Sequence, residues 1–379
     1  MKDNLAAVIR KLISPSMRYE MRQASSCLRD ILGRACVWRW EIARFRLQKD
    51  SPYEILYIGR KQQREMAKLL IGGKNTSVTD GEPKPAESNH VVVSEVRTPG
   101  TLSIPLYLSA VVPLGRSIED ITAKYDGELR RNIRKNRPHY HMRPALLDEE
   151  IDKADREMLR PYAQRQGIHA AQFPTEEVFR IARTVGRLDL IMRDDEVIGC
   201  HLGCAVTRGG KRYWSTLRFG YTEAVFSDAK RLGEVNAITT FMALESAIHE
   251  GFDYYDIGLC VARPDEGLLK WKRRRGGDVD SLGNHAYMFL RLPKAGVARF
   301  LWDTPLFAAE GKELTLHLGL PDGPSDEEAA SRYHEMVFGG LHKIYLYCAQ
   351  NSGEQFLETL RSRYANLQTP PVMERIPSS

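Results

Sequence analysis

The stretch from Arg231 to Gly277 constrains the fold more than any other. It opens on Arg231-Leu-Gly233-Glu234-Val-Asn236-Ala237, runs on as an apolar segment to Glu250, and passes through the β-rich Phe252–Ile257 to Gly258. A polar loop then leads to Gly267-Leu-Leu-Lys270-Trp271-Lys272-Arg273-Arg274-Arg275-Gly276-Gly277. A loop with glycine, a helix, a strand, a loop and a cationic turn make a compact unit suited to an anionic ligand. A helix N-terminus supplies unpaired N–H groups and partial positive charge. On this reading 231–237 is a loop at a helix start and 267–277 is the cationic turn.

With 379 residues the chain has room for two domains or one large one. A net charge of +6 admits anionic partners such as a nucleotide cofactor, tRNA or an acidic membrane surface. The excess is small for this length, so composition by itself does not identify a nucleic-acid binder. The six cysteines are scattered, without the paired spacing of a disulfide scaffold or a zinc site. Cys200-His201-Leu-Gly-Cys204 comes nearest. In a strand the two cysteines share one face as small buried side chains, and His201 takes the other. No run approaches the roughly 18 apolar residues of a spanning helix, and Met1–Arg22 lacks the continuous apolar core of a secretory leader. The cytoplasm is the expected compartment.

Along the chain, residues 1–50 read as a helical, basic N-terminal segment. Leu28, Ile31, Ala35, Trp38, Ile42 and Phe45 recur at three- and four-residue steps, with Arg29, Arg34, Arg39, Arg44 and Arg46 between them. Such a stripe, here over 26–47, packs on its own domain or lies peripherally on the inner face of an anionic membrane. Residues 51–145 form a first lobe. It has a strand at Tyr53–Ile58, a helix at Lys61–Ile71, a mobile polar loop at 72–89, and β-rich runs at His90–Val96 and Leu102–Val112. Ser117 caps a helix leading into the basic run Leu129–Pro138, LRRNIRKNRP, which Pro138 stops. Residues 146–300 form the second lobe: helices Leu146–Gln166 and Thr175–Thr184, strands Leu188–Arg193, Val197–Thr207 and Lys211–Leu217, then Arg231–Gly277. That order suits an α/β (α+β) fold with a mixed sheet flanked by helices. A strand and helix extension follows over 301–367, and 368–379 reads as a loose tail.

No Gly-x-Ser-x-Gly, His-Glu-x-x-His or P-loop signature is present, and His139 and His141 are left as surface residues. What remains is a set of polar residues around the central stretch. Asp256 ends a strand, where it either accepts a proton or caps the next turn. Tyr254 and Tyr255 alternate faces, so one of them, taken as Tyr255, turns to a cleft as a leaving-group acid. Lys272 binds phosphate or an oxyanion, or is a solvated charge among Arg273–Arg275. Glu234 is a partner of the helix dipole.

The ordered set Leu129–Pro138, Gly199–Val206, Arg231–Ala237, Asp256-Ile-Gly258 and Gly267–Gly277 resembles the FemAB-like branch of the GNAT acyltransferases. The match covers roughly residues 100–290. The resemblance implies two GNAT-like lobes around a mixed sheet, with donor and acceptor meeting in the second. It sets Trp271 and Lys272, with Lys270 and Arg273 beside them, near the donor. It also sets Arg231, Gly233, Asn236 and Ala237 where GNAT proteins hold the coenzyme A pyrophosphate. The spacing Arg-Leu-Gly-Glu-Val-Asn-Ala departs from the family's Arg/Gln-x-x-Gly-x-Gly/Ala, which leaves aminoacyl-tRNA open as donor beside acyl-coenzyme A. The expected protein is then an N-acyltransferase without metal or covalent cofactor, acting on a small or envelope-precursor amine. Asp256, Lys272 and Tyr255 are its catalytic candidates. The rival reading is a non-catalytic GNAT-like scaffold or binding module.

Overall fold

A computed structural model describes residues 28, 32–47, 53–72, 79–80, 89–115, 117–166, 173–281, 284, 286–348, 353–367 and 369–377. It has the mixed α/β architecture expected from the sequence, with three sheets and flanking helices. The chain divides into two compact units, one comprising 111–258 with 274–276, the other 26–110 with 259–273 and 277–379. The boundaries therefore fall at 110/111 and 258/259, where the sequence placed them at 145/146 and 300/301. Both are inside strands, which carry no change of composition to mark them.

Nine elements carry the candidate residues and their neighbours. They are β1 (Tyr107–Pro113), α1 (Gly127–Asn136), β2 (Tyr140–Pro144), β3 (Gly186–Arg193), β4 (Glu196–Arg208), β5 (Lys211–Tyr221), α2 (Ala229–His249), β6 (Tyr254–Val261) and α3 (Gly267–Arg273). The first unit's sheet has the order β1-β6-β5-β4-β3-β2. The two hairpins read from sequence are present. Asp194 at φ 54° turns β3 into β4, and Gly209 and Gly210 at φ 55° and 76° turn β4 into β5.

Strand alternation separates the two faces of this sheet. Leu188, Leu190, Cys200, Leu202 and Cys204 form one core with Ile151, Met158, Val178 and Ile181, so Cys200 and Cys204 share a buried face as expected. On the other face the register lines up Arg187, Asp189, His201, Trp214, Thr216 and Tyr255. Helix α2 covers this second face: Arg187 Nη2 donates to Ser246 Oγ at 2.8 Å and Asn236 Nδ2 to Tyr221 OH at 2.9 Å.

Two sequence expectations about the central stretch change. The segment 231–237 is helical, because Asp228 caps α2 through the amides of Lys230 (2.8 Å) and Arg231 (3.1 Å). The N-cap carboxylate starts the helix before the glycine, whose cost in a helix interior is only about 1 kcal/mol. The cationic turn is itself mostly helix α3, started by Glu266, whose carboxylate accepts from the amide of Leu269 at 3.0 Å. The basic run Leu129–Pro138 forms α1 and the turn after it. Leu129 and Ile133 are buried while Arg130, Arg131, Arg134 and Lys135 point to solvent.

In the second unit a six-stranded sheet has the order Thr79–Asp80, Trp40–Arg46, Tyr53–Arg60, Asn89–Ser94, Tyr287–Arg291, Leu102–Pro105. Trp40–Arg46 is thus a strand, not the end of an amphipathic helix. Pairing with Tyr53–Arg60 overrides the helical spacing: Phe45 enters the core, while Trp38 and Ile42 are exposed. The rest of the expected membrane-facing stripe between 26 and 31, apart from Leu28, lies outside the described residues, as does most of the expected loop at 72–89. A four-stranded sheet joins Leu306–Glu310, Glu313–Leu320, Lys343–Cys348 and Val372–Pro377. Its last member lies in the expected loose tail. Val372–Pro377 pairs in parallel with Lys343–Cys348, so backbone hydrogen bonds hold a proline-bearing segment that composition marks as loose.

Candidate functional site

The parallel contact between β5 and β6 is short. Tyr213, Trp214 and Ser215 stand opposite Tyr254, Tyr255 and Asp256, and the register ends there. Directly beyond it, β5 gains one residue against β4, so that Thr216 faces Gly203 and Arg218 faces Leu202. Such a bulge bends a strand and re-aims its side chains. Gly258 (φ 91°) keeps β6 close, since a Cβ there would lie 2.8 Å from the Thr216 carbonyl oxygen.

Tyr255 and Asp256, adjacent in sequence, face opposite sides of the sheet. Asp256 shares the side of Ser215, and its carboxylate is engaged at both oxygens. Oδ2 accepts from Ser215 Oγ (3.1 Å) and pairs with Arg208 Nη2 (3.0 Å), while Oδ1 accepts from the amide of Gly258 (2.8 Å). Asp256 does not end the strand, because β6 runs on to Val261 and the Gly258 amide it holds lies in the same strand. Tyr254 stacks on Tyr213 with ring centroids 4.7 Å apart on that same side.

On the α2 side, Tyr255 OH lies 2.9 Å from Thr216 Oγ1, which lies 3.1 Å from His201 Nε2. His201 Nδ1 in turn stands 3.7 Å from Asp189 Oδ2, and Asp189 Oδ1 is 2.6 Å from Arg187 Nε. Arg187 continues to Glu250 at the end of α2 (2.8 Å) and stacks over Trp214 (4.9 Å). All of Asp189, His201, Thr216 and Tyr255 are buried. Among the described residues, neither His201 Nδ1 nor Asp189 Oδ2 has a hydrogen-bond partner. An unsatisfied buried polar atom costs about 1–3 kcal/mol.

The other end of this row meets a buried cation. Arg275 is within electrostatic reach of Tyr125, Tyr221, Asp126 and Tyr255, and burial lowers its guanidinium to about 10. Burial pushes the Tyr125 phenol up to about 12, against the pull of Arg275. Burial also raises Tyr255 and Tyr221 above the ordinary phenol range. A desolvated guanidinium among phenols is an environment in which an oxyanion or phosphate is held strongly. Asn236 adds an amide whose Nδ2 donates to Tyr221 OH and whose buried Oδ1 has no partner among the described residues.

Of the sequence candidates, Tyr255, Asp256, Asn236, Ala237, Arg231 and Gly233 lie in this unit. Arg231, Gly233, Asn236 and Ala237 occupy the first turns of α2. Gly233 is exposed with open space where a Cβ would stand, and Ala237 is buried. The amides that open α2 already carry the Asp228 carboxylate. Tyr140 OH donates to Glu234 at 3.1 Å, and Arg137 pairs with Glu245 at 2.9 Å, so the end of the basic run is tied to α2. Lys270, Trp271, Lys272 and Arg273 form part of α3, in the other unit. Lys270 pairs with Glu335 at 2.7 Å. Lys272 is 2 % exposed and donates to the Leu259 carbonyl at 2.9 Å, which matches neither a solvated charge nor an open phosphate contact.

Sequence reasoning missed Arg275, Tyr125, Tyr221, Thr216 and Asp189. Arg275 was in view only as one of several cations in the turn. The alternation in β3 and β4 that sets Asp189 and His201 on one face was the available signal. His139 and His141 are exposed, as expected. Among the described residues no group of three or more His, Cys, Asp or Glu side chains is placed to hold a metal ion. No helix of the described residues is long and apolar enough to cross a membrane.

No family model and no curated protein matches this sequence. Solved structures similar to the chain include FemX, at 11% identity and a TM-score of 0.37, over 68% of this chain and 90% of that one. L-PGS from Bacillus licheniformis is similar at 11% identity and 0.35, over 75% and 95%. A GCN5-related N-acetyltransferase-like protein from Streptococcus suis is similar at 10% and 0.26, over 67% and 83%. Likenesses of this extent assign no activity to this chain.

Proposed function

We propose that this chain is an N-acyltransferase of the GNAT, FemAB-like type. It moves an acyl or aminoacyl group from acyl-coenzyme A or aminoacyl-tRNA to an amine on a small or envelope-precursor acceptor. The observation that carries this reading is the Tyr255 hydroxyl, set at the end of the short β5–β6 contact between a buried Arg275 and a row of buried polar groups. Amide formation needs a positioned amine, a cation or N–H groups facing the developing oxyanion, and an acid for the leaving group. In this mechanism the amine nitrogen attacks the carbonyl carbon, Arg275 faces the oxyanion, and Tyr255 gives its proton as the bond to the leaving group breaks. Burial holds the Tyr255 phenol in the protonated form through neutral pH, the form an acid requires. Asp256, on the opposite face, holds the middle of β6 through Gly258 and Arg208.

The test is a transfer assay with acetyl-coenzyme A and with charged tRNA against a panel of amines. Tyr255→Phe is expected to lower kcat by roughly a hundredfold while donor binding holds. Turnover unchanged in Tyr255→Phe would remove Tyr255 from the mechanism. Failure of the wild type to bind or turn over either donor would favour the non-catalytic scaffold. One observation speaks for that second reading: the Asp228 carboxylate already occupies the amides at the start of α2, where a pyrophosphate would have to compete with it.

A further inference from the structure

We infer that His201, backed by Asp189, is the internal proton store of Tyr255, reached through the hydroxyl of Thr216. The inference rests on the acyl-transfer reading above and adds to it a positioning device that lies wholly beneath α2.

Four successive strands each contribute one member. Asp189 on β3 stands in register with His201 on β4. Thr216 on β5 stands opposite Gly203, two residues along β4 from His201, and the bulge after Thr216 lets Phe219 take the place facing His201. Phe219 stacks on the imidazole at 5.2 Å, and Tyr255 on β6 closes the row. Among the described residues, Asp189 stands against this imidazole directly, followed by Arg187 and, from α2, Glu250.

The order of the hydroxyls is tied to which nitrogen of a neutral His201 carries the proton. If Thr216 donates to Tyr255, His201 must donate from Nε2, and its bare Nδ1 then faces the Asp189 carboxylate, lone pair against lone pair. If Tyr255 donates to Thr216 and Thr216 to Nε2, then Nδ1–H faces Asp189 Oδ2, and every group from phenol to imidazole is matched. The gap of 3.7 Å between Nδ1 and Oδ2 is too short to seat a bridging water and closes by a movement of less than about 1 Å. Closing it is worth most when the imidazole is charged.

In this second order the phenolic oxygen of Tyr255 is an acceptor toward substrate. As the amine attacks, its N–H bond breaks and an O–H bond forms on Tyr255. The phenol's own proton passes to Thr216 Oγ1, and the Thr216 proton passes to His201 Nε2, leaving an imidazolium beside Asp189. When the acyl–leaving-group bond breaks, the same protons move back one place each, and Tyr255 protonates the departing thiolate or alkoxide. The imidazole ends neutral, and the products are an amide and the protonated leaving group.

Two measurements test this. In long-range proton–nitrogen spectra of histidine-labelled protein, His201 is expected as the Nδ1–H tautomer, with its Nε2 shift moved in Tyr255→Phe. An Nε2–H tautomer in the wild type would overturn the relay whatever the turnover. In the transfer assay, Thr216→Val is expected to lower kcat about a hundredfold with KM within twofold, and Thr216→Ser to restore it. Wild-type turnover that Thr216→Val leaves unchanged overturns the relay alone. Absence of wild-type turnover with every donor overturns the acyl-transfer reading, and the relay with it. The tautomer measurement needs no variant, so a misfolded Thr216→Val does not remove the test.

Discussion

Gly258 is where the β5–β6 contact depends on the absence of a single carbon. Its φ of 91° lies where L side chains are strained, and a Cβ would meet the Thr216 carbonyl at 2.8 Å. Gly258→Ala is expected to lower stability by about 1–3 kcal/mol in urea unfolding. An unchanged midpoint would show that the backbone can relax there. Glu95 makes a comparable claim in the second unit. Its carboxylate accepts from the Arg60 amide (2.7 Å) and Nε (2.8 Å), with both residues buried. Glu95→Ala removes the carboxylate from a buried guanidinium and is expected to cost about 3–5 kcal/mol. Little of this was legible from sequence, since neither Arg60 nor Glu95 belongs to any local pattern. Their pairing is a product of the sheet, which brings together residues 35 apart.

At the scale of elements, α2 shows what a sequence pattern does and does not contain. The hairpins β3–β4–β5 were readable because their turn residues have a direct steric meaning, and so was the sharing of a face by Cys200 and Cys204. The start of α2 was not, because Gly233 was read as a loop glycine, whereas the helix begins earlier, at the Asp228 cap. The two readings differ in a measurable way. In a helix with open space at its Cβ, Gly233→Ala is expected to raise stability by about 0.5–1 kcal/mol and leave donor affinity unchanged. A loss of donor affinity would show that the glycine serves close approach of a ligand. The site was half legible for a related reason. Tyr255 follows from strand alternation, but Thr216 sits beside a bulge and Arg275 in an irregular turn, and no periodicity reports either. Trp40–Arg46 failed as a helix because strand pairing decides its structure, and in a strand the three-residue step from Ile42 to Phe45 changes face, leaving Ile42 exposed and Phe45 buried.

At the scale of the whole molecule, pH and salt separate the contributions. His317 is buried between Tyr345 and Tyr347, and burial lowers its pKa to about 3. The unfolded chain then binds a proton that the folded one does not between about pH 6.5 and 3, so stability falls as pH drops through that window. His317→Gln is expected to flatten this part of the acid-unfolding curve, measured by circular dichroism. A slope equal to the wild type's would place the dependence elsewhere. The exposed cations of α1 bear on the donor: were it charged tRNA, Arg131→Glu with Lys135→Glu would weaken binding and flatten its salt dependence by roughly one unit per lost phosphate contact.

The claim at the centre of this account is that a donor is held on the α2 side of the first unit, beside Arg275 and Asn236. Calorimetric titration of coenzyme A and acetyl-coenzyme A into wild type, Asn236→Ala and Lys272→Ala tests it most directly. The account predicts binding by the wild type, weakened about tenfold or more in Asn236→Ala and retained in a folded Lys272→Ala. Binding lost in a folded Lys272→Ala but intact in Asn236→Ala would contradict it and move the donor to α3.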